Sequence, residues 1–171
     1  MNSFHISFNW HTALIALIIA VISIAILLFL LWVISKMLDS KDEAAWKKAA
    51  EQGDAKAQFK LGGRYYTKRN YDKALGWFLK AAEQGDPVAQ SFLGRMYRDG
   101  EGVPQMYDEA FEWFKKSAEQ GHMPAQFNLG VMYHKGQGVI KSETEARAWL
   151  RKAAAQGSSE AKYYLLDGFS K

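Results

Sequence analysis

Two glycine pairs, Gly100/Gly102 and Gly136/Gly138, have the spacing in this chain that comes nearest to chemistry, that of a loop cradling phosphate. Such a loop follows a strand and ends in a third glycine or in Gly-Lys-Ser/Thr, so that backbone N–H groups converge on the anion. Here each pair follows a helical pattern, and neither ending is present. The four histidines, His5, His11, His122 and His134, lack the i, i+4 spacing of a helical metal site. Asp108, Glu109, Glu112 and the pair Glu143/Glu145 stand in the first turns of helical segments, where complementing the helix dipole accounts for them. No serine sits on a nucleophile elbow. Cysteine is absent, which excludes disulfides, thiolate catalysis, zinc ribbons and thiolate lipidation. These residues therefore offer no catalytic, cofactor-binding or metal site, and the chain reads as a non-enzyme without a small-molecule substrate.

Charge narrows the partners further. All 22 Lys/Arg and 18 Asp/Glu lie from Lys36 onward, with a formal net charge of +4. The signs are interspersed, as on a solvated helical surface, whereas nucleic-acid binders carry a clustered basic stripe. Nucleic acid is not an expected partner.

The uncharged N-terminal region is a membrane span by composition. Ala13 to Ile34 is interrupted only by Ser23, and as a helix it rises about 33 Å, enough to cross the hydrocarbon core. Trp10 and Trp32 flank it at headgroup level. A cleaved signal peptide is the rival reading, with Val33-Ile34-Ser35 as a weak cleavage site. It would need a basic leader and a shorter apolar run. Lys36, Lys41, Lys47 and Lys48 follow the span, so the positive-inside rule places the rest of the chain in the cytoplasm.

The charged region beyond the span is repetitive. Ala49-Ala50-Glu51-Gln52-Gly53 recurs at Ala81–Gly85, Ser117–Gly121 and Ala153–Gly157, with glycine spacings of 85−53 = 32, 121−85 = 36 and 157−121 = 36. A period in this range marks stacked units that bury an apolar face only against their neighbours. Each unit reads as two helices, A then B. Helix B spans Asp72–Gln84, Asp108–Gln120 and Glu143–Gln156, with a first copy at Lys41–Gln52. Helix A carries Ala57/Leu61/Tyr65, Ala89/Leu93/Tyr97, Ala125/Leu129/Tyr133 and Ala161/Leu165/Phe169 at i, i+4, i+8, one stripe of a helix. Asp54, Asp86 and Ser158 are expected caps, Pro87 suits a first turn, and Ser40/Glu43 and Ser142/Glu145 have capping-box spacing. Ser40 is thus expected to start a new helix. Gly62, Gly94 and Gly130 are expected to let helices A and B approach closely, opposite Ala82, Ala118 and Ala154. Trp46, Phe78, Phe114 and Leu150, seven residues before each closing glycine, are expected in the core together with the adjoining tryptophans.

The pattern Ala-x-x-x-Leu-Gly-x-x-Tyr, then Gly-x-Gly-Val, then Ala-x-x-Trp-x-x-x-Ala-x-x-x-Gly resembles the Sel-one-like repeat, a relative of the tetratricopeptide repeat. The resemblance runs over about 42–171; the first unit departs from it, with a short Thr67-Lys68-Arg69-Asn70 turn in place of the glycine loop. It implies an all-α fold, an α/α solenoid behind one transmembrane helix. The expected organisation is a tail at 1–12, the span at 13–35, a linker at 36–40 and the solenoid at 41–171. Within the solenoid come a half-unit at 41–53, units at 54–85, 86–121 and 122–157, and a capping helix at 158–171. It also implies a concave face lined by helix A that binds a partner protein or peptide. The groove positions carried over are Phe59, Gly63 and Tyr66; Ser91, Arg95 and Arg98; Phe127, Val131 and His134; and Tyr163 and Asp167. Aromatic anchors beside two arginines would suit a peptide with an apolar residue and a carboxylate. The competing reading is that Phe59, Phe127 and Tyr163 merely pack between neighbouring A helices. The function implied is a scaffold recruiting a partner to the membrane, a bacterial inner membrane; the alternative is an immunity or inhibitor protein neutralising a toxin or enzyme there.

Overall fold

The computed structural model describes residues 10–169, so the tail expected over 1–12 lies largely outside the described residues, as do the last two residues of the capping helix. The chain forms two units, Met1–Ala44 and Ala45–Lys171. Eight helices occur among the described residues: α1 (Trp10–Glu51), α2 (Ala55–Thr67), α3 (Tyr71–Glu83), α4 (Pro87–Asp99), α5 (Tyr107–Glu119), α6 (Met123–Lys135), α7 (Glu143–Ala155) and α8 (Ser159–Asp167). The end of α1 and then α3, α5 and α7 are the B helices; α2, α4, α6 and α8 are the A helices.

In the first unit, the window Leu17–Ile34 has a mean hydropathy of 3.3 and none of it is buried, long and apolar enough to cross a bilayer. An anchor and a signal sequence both meet that criterion. One expectation is corrected here. No linker occupies 36–40 and no helix starts at Ser40, because α1 runs unbroken from Trp10 to Glu51. A capping box gives a helix somewhere to begin, but it does not interrupt one already propagating, since each added residue gains a hydrogen bond.

In the second unit the start signals act as expected. Asp54 Oδ1 accepts from the amides of Lys56 and Ala57, Asp86 Oδ1 from Ala89 and Ser158 Oγ from Ala161. Ser142 Oγ accepts from Glu145 N at 3.3 Å. The third A helix departs: His122 occupies the cap position without capping α6. Its Nδ1 lies 3.1 Å from Ser117 Oγ, which donates its single proton to the Pro87 carbonyl at 2.6 Å. His122 is therefore the donor of that pair, and burial holds its pKa below the usual histidine value. Each closing glycine, 53, 85, 121 and 157, has φ between 87° and 104°, a conformation open to glycine at no steric cost.

Inside each repeat a large B residue lies on the backbone of an A helix. A Cβ at Gly62 would sit 2.7 Å from Phe78, at Gly94 2.8 Å from Phe114, and at Gly130 2.7 Å from Leu150. The residue opposite the glycine is therefore this large side chain and not Ala82, Ala118 or Ala154. Phe78, Phe114 and Leu150 are fully buried. Burying each contributes about 1.5–3 kcal/mol, which exceeds the roughly 1 kcal/mol cost of the helical glycine. Trp77, Trp113 and Trp149 are only half-buried, each covered by the lysine three residues on, with Nζ 4.4, 4.3 and 3.7 Å from the ring centroid. Lysine stems cover the exposed face of these rings, so the core stripe is narrower than the sequence suggests.

Repeats are joined at both edges. At the B-to-A edge a glutamine ladder runs through the fold. Gln58, Gln90 and Gln126, each at most 5 % exposed, donate to the carbonyls of Ala50, Ala82 and Ala118 at 3.0–3.2 Å. Their own side-chain carbonyls accept from Gln84, Gln120 and Gln156 at 2.7–2.8 Å. Lys162, exposed, holds the corresponding place in α8. At the A-to-B edge, Gly102 and Gly138 press against Tyr71 and Tyr107, which open the B helices of the preceding repeats.

The glycines make opposite predictions. Gly94→Ala should lower the urea midpoint, because overpacking costs about 1–3 kcal/mol against a helix-propensity gain of about 1 kcal/mol. Gly76→Ala, with open space around its Cβ position, should raise stability by about 0.5–1 kcal/mol. Equal effects from both would contradict the ring-on-backbone packing.

Candidate functional site

Helix A turns its Ala/Leu/Gly stripe toward helix B, which leaves a second stripe facing the neighbouring A helices. The structure sorts the expected groove residues into groups. Phe59 is half-buried, 5.7 Å from Phe78 and edge-on to Phe92 at 5.5 Å between ring centroids. Tyr66 meets Tyr71 and Phe92 edge-on at 5.4 and 6.0 Å. Its hydroxyl donates to Glu101 Oε2 at 2.5 Å, and burial together with that acceptor pushes its pKa up to about 12. A Cβ at Gly63 would have nothing within 4 Å. Ser91 is 3 % exposed and presents no side-chain surface.

The two arginines differ. Arg98 forks onto Asp99 with Nε and Nη2 at 2.7 and 2.8 Å, and its Nη1 donates to Asn128 Oδ1 at 2.6 Å. Asn128 is turned that way by its own amide, which donates to the Pro124 carbonyl at 2.8 Å. The Arg98 guanidinium holds the Asp99 carboxyl below its ordinary range. Arg98 thus ties α4 to α6. Arg95, half-buried one turn earlier, lies 5.2 Å from the centroid of Phe92, and no hydrogen bond or ion pair engages it among the described residues.

Farther along, Phe127 meets Tyr164 edge-on at 6.2 Å. With Met123, Pro124, Asn128, Ser158 and Glu160 it lines a cleft of about 160 Å³. Val131 is half-buried. His134 lies edge-on to Tyr164 and Phe169 at 5.5 and 4.7 Å; its Nδ1 is 3.1 Å from Glu143 Oε1 but off the line a hydrogen bond needs. Tyr163, 66 % exposed, and Asp167 face outward. Phe59 and Phe127 therefore contact the next A helix, whereas Tyr163 does not share that role. No group of three or more His, Asp or Glu among the described residues could hold a metal ion.

Three residues of this face are absent from the groove expected by sequence: Phe92, Asn128 and Tyr164. Each stands one position after an expected groove residue, where the side chain leans toward the preceding A helix. Two aromatics at a position that varies between repeats were the available signal.

The Sel1 repeat model matches the chain at 46–54, 55–86, 87–122 and 124–158. The chain belongs to the Sel1 repeat family. Among solved structures, a Sel1 repeat protein from Oxalobacter formigenes is 41 % identical with a TM-score of 0.69, over 74 % of this chain and 98 % of that one. The protective antigen c5321 of uropathogenic Escherichia coli is 46 % identical with a TM-score of 0.67, over 70 % of this chain and 26 % of that longer one. Cysteine rich protein B of Helicobacter pylori is 25 % identical with a TM-score of 0.56, over 70 % and 93 % of the two chains. No curated protein matches the sequence. Sel1 repeat proteins are in general protein-interaction scaffolds.

The Arg98 geometry generates a stability prediction. An ion pair this exposed contributes at most about 1 kcal/mol, and the partly buried bond to Asn128 adds about 1 kcal/mol. Arg98→Ala should therefore cost about 1–2 kcal/mol in urea unfolding. Arg98→Lys should not restore it, because an ammonium cannot serve Asp99 in a fork and reach Asn128 as well. Full stability of the lysine variant would contradict this reading.

Proposed function

We propose that this Sel1 repeat protein is a single-pass membrane scaffold that binds a partner protein through the concave, helix-A face of its repeats. The carrying observation is the contrast between two stripes of the same helices. The stripe toward helix B repeats its residue types from unit to unit, as packing demands. The other stripe presents Gly63, Arg95, Val131 and Asp167 at one repeated position, four different chemistries where the fold needs none of them in particular. Variation along this face, flanked by half-buried aromatic rings, suits recognition by a few anchors within a complementary surface. The apolar span before the repeats supplies the second half of the reading. Tethering confines the repeats to a thin shell and raises the effective concentration of whatever they hold there. The lysines after the span favour a cytoplasmic face for the repeats.

Membrane fractionation, then crosslinked co-purification in mild detergent, tests this. The full-length chain is expected to stay with membranes after alkaline carbonate, to keep its span, and to carry a specific protein that a helix-A variant such as Val131→Asp loses. A reporter fused after Lys171 should be active only as a cytoplasmic fusion. Release of a shortened, soluble chain would remove the anchor reading. Equal capture by wild type and variant would remove the groove reading.

A further inference from the structure

We infer that Arg95 holds an acidic side chain in the middle of a bound peptide segment, with apolar residues of that segment on either side; this rests on the groove reading above. Arg98 is spoken for by Asp99 and Asn128, so its guanidinium is part of the scaffold. Arg95 is the opposite case. Its planar group lies over the Phe92 ring at 5.2 Å, which fixes its position while its N–H donors go unused among the described residues. A guanidinium held this way by an aromatic face and left unpaired matches a carboxylate, which it can bind through two parallel hydrogen bonds.

The neighbours add charge and direction. Glu101 accepts from Tyr66, and Asp99 is held by Arg98, so both carboxylates already have partners. Arg95 adds its charge to the field that holds the Asp99 carboxyl down, but no hydrogen bond or ion pair among the described residues takes its N–H donors, and the incoming acid would occupy these. Position decides between an internal acid and a chain terminus. Phe59, Tyr66 and Phe92 lie to one side of Arg95 along the face. On the other side Phe127 and Met123 line the cleft of about 160 Å³. A peptide that used both would continue past Arg95 in both directions, so its acid belongs to a side chain.

Anisotropy titrations of the detergent-solubilised full-length chain test this with labelled peptides of about nine residues, the extended length that crosses four helices spaced roughly 9–10 Å apart. The peptides are amidated and carry a central Glu or Gln between Leu and Phe positions; a third set has Gln and a free carboxyl terminus. The Glu set is expected to bind at least about tenfold more tightly than the amidated Gln set, as a charged hydrogen-bonded pair provides. Arg95→Gln should abolish that ratio with an unchanged melting curve, and Arg98→Ala should keep it. Binding without acid preference, a ratio that survives Arg95→Gln, or preference for the free carboxyl terminus would overturn the assignment to Arg95 while leaving the groove intact. Absence of binding by every peptide would overturn the groove reading itself.

Discussion

The buried glutamine near the start of each of three consecutive A helices is the interaction on which the repeat array depends. The last carbonyls of a helix have no partner within it. In this fold the carbonyls of Ala50, Ala82 and Ala118 accept from the closing glycine amides and, as a second donor, from the buried side chains of Gln58, Gln90 and Gln126. A primary amide is suited to the place because it donates and accepts at once. While its N–H binds the preceding B helix, its oxygen receives Gln84, Gln120 or Gln156 from the next one. Three successive B-helix ends are thereby linked to their neighbours through the A helix between them. An unsatisfied buried amide costs about 1–3 kcal/mol, so each rung fixes where the next A helix begins.

Register at that edge determines what can happen on the helix-A face. With the starts of α2 and α4 aligned, Phe59 meets Phe92 across adjacent repeats. Arg98 reaches Asn128 in the same way. The glycine loops act at the opposite edge, where Gly102 and Gly138 seat each repeat against the B helix before it. Between the two edges, Phe78, Phe114 and Leu150 set the distance of helix B by lying on a helical glycine. Arg98 and Asn128, whose polar groups bind each other across adjacent repeats, are committed to the scaffold. Arg95 stands apart because no hydrogen bond or ion pair engages it among the described residues.

Much of this was legible in the sequence where one residue type answers one local demand. The closing glycines, the aspartate caps and the Ala/Leu stripe pointed to the helix order and the core. The helical glycines correctly signalled close approach but not its partner, since a ring seven residues before the closing glycine and an alanine near it share one helix face. Ser40 misled because capping chemistry is local, and the propagating α1 outweighed it. The face residues were least legible. Ser91 and Arg98 were expected on the same groove face as Arg95 and Val131, at other positions of the repeat. Only the neighbours in three dimensions, a closed core for one and Asp99 with Asn128 for the other, distinguish a structural side chain from an available one. The glutamine before each closing glycine was visible four times, yet the partner that Gln84, Gln120 and Gln156 find 26 to 30 residues earlier was not.

The most direct measurement is a double-mutant cycle on one rung, Gln90→Met with Gln120→Met, read by urea unfolding of the detergent-solubilised chain. If the ladder holds the repeats in register, the two losses will be coupled by about 1 kcal/mol, because removing Gln90 takes from Gln120 its acceptor in the neighbouring A helix. Losses that add to within about 0.3–0.5 kcal/mol would show that the glutamines act separately, and would contradict the ladder as the element that aligns the helix-A face.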